Sequence, residues 1–267
     1  MKTIISLIFT FFIAANCFAQ GNLFIVYEAV KNNQMMTTNL RGELLITKEK
    51  SYYKINFNEK NSIEKEANEE IVIINMGDDQ TPNLDQILIE KTLDKLTHYY
   101  YDSSLKNHYA IQENLPKIQW KIEEETKSIG NYTCRKATTS FRGRNYTVWF
   151  TPEIPLPYGP WKLNGLPGLI LEAYDDTGTY SWMVKSIQPN TSQTIITADT
   201  NTNIVFERIS FKAHDEKYVA LQIQRFKAMM TRNTDRDSPY KTSFIFSTAE
   251  RKEPTNEWRK KSEFIIE

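Results

Sequence analysis

The chain has 267 residues, and its 33 lysines and arginines equal its 33 aspartates and glutamates. That balance excludes the global basic field by which nucleic acid or an anionic membrane is recognised. A 40% hydrophobic content supports a real core, and two cysteines are too few for a disulfide scaffold.

The chain opens on Met1 and Lys2, followed by an apolar run over 4–15 and then Cys17-Phe18-Ala19. The run is too short for a membrane-spanning helix of about twenty residues. With small residues at −3 and −1 it reads as a secretory signal cleaved near Ala19. A lipoprotein reading would acylate Cys17, which Asn16 and Phe18 fit poorly. No later stretch is long and apolar enough to span a bilayer, so a periplasmic or secreted protein is expected. Residues 20–267 are expected to form a single β-rich domain with a charged C-terminal tail.

Short β-branched and aromatic runs over 23–30, 43–48 and 51–58 predict strands, separated by turn residues such as Asn32-Asn33 and Arg41-Gly42. Residues 58–83 are charged and read as solvated loop around one apolar island, 71–74. Strand signals resume over 93–102, 108–112 and 118–126. Further alternating runs cover 132–141 and 145–150, with turns expected at Asn131, Gly143 and Arg144-Asn145. After 169–173, Thr177-Gly178 turns the chain into a last long strand over 179–188. Turn spacings of roughly eight to twelve residues argue an antiparallel arrangement.

Between the strands at 145–150 and 169–173 lie five of the ten prolines: Pro152, Pro155, Pro157, Pro160 and Pro167. Each fixes a φ and removes an amide donor, so this segment is stiff. Leu156, Tyr158, Trp161, Leu163 and Leu166 give it apolar weight, which predicts that it folds over one end of a sheet. Gly159, Gly165 and Gly168 supply positive φ or close backbone approach. Gly168→Val should therefore destabilise the fold.

NGLPGLI at 164–170, with IGNYTCRKA, VWFTPEIP and GPWK upstream, resembles the GLPGLI family of Bacteroidetes envelope proteins. The family motif falls on Gly165, Leu166, Pro167, Gly168, Leu169 and Ile170. The resemblance implies an exported envelope protein and carries over no catalytic residues. More weakly, the central pattern resembles the open half-barrel of periplasmic lipoprotein carriers. The expected fold is mainly β: an antiparallel curved sheet or open half-barrel with one main amphipathic helix.

That helix is predicted over 215–230, where Val219, Ile223, Phe226 and Met230 recur at helical spacing. Asp215 and Glu216 would then favour its positive N-terminal end. A polar linker over 231–239 and a strand over 242–246 should follow.

The chemistry is sparse. His98, His108 and His214 show no metal-ligand spacing, and there is no nucleophile elbow or phosphate loop. No catalytic residue, metal ligand or cofactor is therefore expected. Glu123 to Glu125, Glu172, Asp175 and Asp176 read as solvated carboxylates. Cys134 reads as a buried, unreactive thiol. The best binding hint is aromatic: Trp149, Tyr158 and Trp161 either wall a cavity or belong to a two-sided core covered by the proline segment. Two functions remain open. One is a non-catalytic module for an apolar ligand, a lipid or an envelope partner protein. The other is a secreted hydrolase or processing factor, whose mark would be two close carboxylates in a cleft or a histidine hydrogen-bonded to a carboxylate.

Overall fold

The computed structural model describes residues 21–33, 36–56, 85–195 and 204–232. The export signal, the island at 71–74, most of the polar linker and the strand at 242–246 lie outside the described residues. Twelve strands and one helix are found among those described. They are β1 (Asn22–Asn33), β2 (Met36–Ile46), β3 (Lys50–Asn56), β4 (Asp85–Glu90), β5 (Lys95–Asp102) and β6 (Asn107–Asn114). Then come β7 (Lys121–Ile129), β8 (Tyr132–Phe141), β9 (Arg144–Thr151), β10 (Leu169–Asp175), β11 (Tyr180–Thr191), β12 (Glu207–Ser210) and α1 (Phe211–Arg232).

All the strands join one sheet, in the order β12-β6-β5-β4-β3-β2-β1-β11-β10-β9-β8-β7. Every pairing is antiparallel except β12 with β6, which is parallel. The sheet does not close by strand pairing. It is nevertheless strongly curled, because the chain passes from β6 to β7 through residues 115–120 alone. In a flat sheet those strands would stand ten spacings apart, roughly 48 Å. The seven Cα steps between them reach no more than about 25 Å. The two ends of the sheet must therefore curve toward each other.

Alternation decides what faces inward. Leu23, Ile25, Tyr27 and Ala29 on β1, Leu44 and Ile46 on β2, Tyr53 and Ile55 on β3, and Val148 and Phe150 on β9 share one core. Gly42 on β2 makes room for Tyr53, since a Cβ there would lie 2.5 Å from its hydroxyl. On the outer face Tyr52, Leu88, Tyr99 and Ala110 form a second cluster against Ile195 and Phe206, and Phe24, Val26 and Leu45 a third against Ile195. The chain leaving β11 thus covers part of the outer surface.

The structure corrects several expectations. Strand β4 lies unannounced between 58–83 and 93–102, because Ile87, Leu88 and Ile89 are buried on both faces and do not alternate. Leu93, expected in a strand, is 58% exposed in a 3-10 turn, Lys91–Leu93. The β8–β9 turn is Arg142-Gly143, both at positive φ (51° and 76°) as a type I′ hairpin requires. Arg144 belongs to β9 instead. The helix starts at Phe211, four residues early, where Ser210 Oγ accepts the Ala213 amide at 3.2 Å. Asp215 consequently lies in the second turn and is buried, so the expected dipole role fails. Val219 and Ile223 are only half-buried. The side chains of Phe226, Met229 and Met230 lie outside the described residues.

Candidate functional site

Residues 152–168 form a plug on the inner side of the curled sheet. Ile154, Tyr158, Trp161, Leu163 and Leu166 are all buried in the main core. The prolines leave few amides, and those that remain are used locally. Tyr158 N–H donates to Leu156 O at 2.8 Å and Gly165 N–H to Pro157 O at 3.0 Å. The exit is fastened by Leu169 N–H to Ile154 O at 2.9 Å and Ile170 N–H to Tyr158 O at 3.0 Å. Tyr27 of β1 donates its hydroxyl to Ile170 O at 2.7 Å, and Trp120 its indole N–H to Asn164 O at 2.8 Å.

The three aromatic candidates do not wall a common cavity. Trp161 is 1% exposed and stacks on Trp182 with ring centroids 6.3 Å apart. It also meets Tyr146 at 6.0 Å. Trp149 alternates with Tyr146, Val148 and Phe150 on β9 and so faces the other way, under the Lys127 ammonium at 4.4 Å. Tyr158 is buried within the plug. The arrangement is the two-sided core, with the proline segment covering one face. Both Trp149 Nε1 and Trp161 Nε1 are buried without a hydrogen-bond partner among the described residues.

In the 165–170 motif the glycines do different work. Gly165 is exposed at φ +94°, a conformation costly for any side chain. Gly168 has no positive φ, but a Cβ there would lie 2.2 Å from Thr151 O. Of the two roles expected for Gly168, close backbone approach is the one realised. Leu166, Leu169 and Ile170 are buried between and beyond them.

The ends of the sheet meet through side chains. Glu113 on β6 accepts from Lys162 Nζ of the plug at 2.8 Å and from Arg142 of the β8–β9 turn. Lys162 is 1% exposed. The Phe211 ring at the start of α1 covers both cations, with Arg142 Cζ 4.5 Å and Lys162 Nζ 5.1 Å from its centre. A second buried pair, Arg144 with Asp175 at 2.7 Å, ties β9 to the β10–β11 hairpin. Asp175 also accepts from the Thr177 hydroxyl at 2.6 Å and the Tyr180 amide at 2.9 Å, so it is not the solvated carboxylate expected. Glu172 is likewise engaged, by Lys127.

Two histidines are paired with carboxylates, which sequence spacing did not show. His98 Nε2 lies 2.8 Å from Asp85 Oδ1 across β4 and β5. His214 Nε2 lies 3.1 Å from Asp102 Oδ2 and 2.5 Å from the Tyr100 hydroxyl. Tyr100 stacks on His98 at 4.9 Å, so it stands between the two pairs. Burial raises the Asp102 pKa, but His214 and the amides of Ser104 and Leu105 outweigh it and hold the carboxyl below its usual range. His108 faces Tyr101 and Phe206, and burial lowers its pKa. No group of three or more metal-ligating side chains occurs among the described residues. The first pair depends on the unannounced β4, and the second joins residues more than a hundred positions apart. Neither leaves a local signal.

A family model described as the N-glycanase peptide N-terminal domain matches residues 46–213. No curated protein matches the chain. Among solved structures it is similar to PNGF-II in a P21 crystal, with 15% identity and a TM-score of 0.51 over 75% of this chain and 34% of that one. A C2 crystal of PNGF-II gives 16% identity and a TM-score of 0.49 over 75% and 33%. The chain therefore spans about a third of the PNGF-II structures it matches. A LolA superfamily protein from Nitrosomonas europaea matches at 10% identity and a TM-score of 0.28, over 67% of this chain and 91% of that one.

Proposed function

The chain belongs to the family described as the N-glycanase peptide N-terminal domain, and within that family we propose that it is a non-catalytic binding module for an apolar ligand, exported to the periplasm or secreted. One observation carries the reading: the curled sheet surrounds an apolar interior that a segment outside the strands, 152–168, occupies. Such a segment can give way to a ligand without breaking a strand ladder. The export pattern at 1–19 supports the location, and no helix among the described residues is long and apolar enough to cross a membrane. The six residues Gly165 to Ile170 support membership of the GLPGLI group as well, with the motif acting as the fastening of the plug.

A second reading, a hydrolase, is favoured by one specific observation, the histidine–carboxylate pairs at His98 and His214. Both pairs lie on the inner side, and His214, in the first turn of α1, is 3% exposed. The deciding measurement titrates a fluorescent fatty acid into the purified mature protein and, in parallel, assays glycan release from a glycopeptide. Saturable probe binding with no glycan release is expected. Glycan release that disappears in His98→Ala or His214→Ala would overturn the binding reading.

A further inference from the structure

The plug is held by an ionic fastening and sits under strain. Trp161 has φ +55°, a left-handed conformation that a bulky residue keeps only when its surroundings impose it. Its indole N–H is buried and makes no hydrogen bond among the described residues, so its seat is imperfect as well. The next residue, Lys162, is tied to Glu113, which also takes Arg142. Residues 113, 142 and 162 come from β6, the β8–β9 turn and the plug, which no strand ladder joins to one another, while Phe211 follows the β12–β6 ladder at its last pair, Ser210 with Gln112.

We propose that Glu113 is the release latch of the plug. While Glu113 holds Lys162 and Arg142, Trp161 stays pressed on Trp182 against its backbone preference. When those ion pairs part, Trp161 relaxes, residues 154–166 leave the interior, and an apolar ligand takes the position of the Trp161 ring. Phe211 lies over both cations, so α1 loosens with the plug. The latch rests on the binding reading for its purpose, but not for its mechanics.

The test is amide hydrogen exchange on the mature protein and on Glu113→Gln, which keeps the shape and removes the charge. Exchange over 154–170 and the first turns of α1 should rise by about tenfold or more, with the β1–β2 hairpin unchanged. A uniform rise over all strands, or none over 154–170, would overturn the latch. The wild-type protein supplies a second measurement that needs no variant. At low denaturant, 154–170 should open as a unit before the sheet does, and exchange of this segment only through global unfolding would sink the proposal. The fatty-acid titration separates the two claims. Local opening in Glu113→Gln without probe binding removes the binding reading alone, whereas probe binding that leaves exchange over 154–170 unaltered removes the latch alone.

Discussion

Gly168 and Thr151 meet backbone to backbone, so closely that a Cβ on Gly168 would sit 2.2 Å from the Thr151 carbonyl oxygen and 2.7 Å from its carbonyl carbon. These residues flank the plug, at the end of β9 and the threshold of β10. Any side chain at 168 pushes backbone against backbone, which cannot move aside like the end of a flexible side chain. Gly168→Val should cost about 1–3 kcal/mol and lower the melting temperature accordingly. Gly165→Ala meets only the Trp120 indole nitrogen, at an ordinary 3.8 Å, and carries mainly the cost of its φ of +94°, about 1 kcal/mol. Thermal unfolding of both variants beside the wild type checks the ranking, and an unchanged midpoint in Gly168→Val would contradict it.

Arg144 and Asp175 have side chains only 5% and 0% exposed. Removing one partner leaves the other charge buried, which costs more than the pair contributes when intact. Asp175→Ala should lose about 3–5 kcal/mol in urea unfolding. Thr177→Val, which removes the hydroxyl's hydrogen bonds to the same carboxylate and from Arg144, should lose less, about 1–2 kcal/mol. Equal effects from the two substitutions would argue against the buried ion pair as the source of the loss.

Cys134 is fully buried, and burial pushes its thiol up to about 11. The thiolate is the reactive form, so a small maleimide should label the native protein far more slowly than it labels free cysteine. Labelling should become fast only when urea unfolds the chain. Rapid labelling without denaturant would show that the outer face opens around Trp149 and Lys127.

Three buried tyrosines set the alkaline limit. Burial raises Tyr27 and Tyr53 well above the usual phenol range and pushes Tyr180 up to about 12. A folded pKa raised above the unfolded value of about 10 stabilises the fold at lower pH, and that contribution is lost as pH rises through the folded values. Phenolate absorbance from these residues should appear together with loss of the β-sheet circular dichroism signal, above pH 10. Tyr53→Phe keeps the ring and gives up the Trp182 hydrogen bond at 3.0 Å. It should remove part of the alkaline loss, and an unchanged alkaline midpoint would show that Tyr53 does not contribute.

By itself the sequence determined much of what depends on neighbours along the chain, though not every boundary: the Arg142-Gly143 turn and the helix start at Phe211 came from the structure. Alternation gave β8 from Tyr132 to Phe141, the five prolines gave the stiff segment between β9 and β10, and the apolar spacing from Val219 to Met230 gave a helix over 215–230. It also gave the buried state of Cys134, but left open whether Trp149 walls a cavity or belongs to a two-sided core. Only the tertiary structure decided what depends on partners far away. The strand β12 is four residues long and exists through its parallel pairing with β6. Arg144 read as a turn residue until Asp175 met it from β10. Glu113, Lys162 and Arg142 carry no common pattern, yet the short β6–β7 connection curls the sheet until they meet. The physical reason is the same in each case. Propensity and periodicity act over a few residues, whereas a buried charge is retained only where an opposite charge from elsewhere in the chain offsets its desolvation.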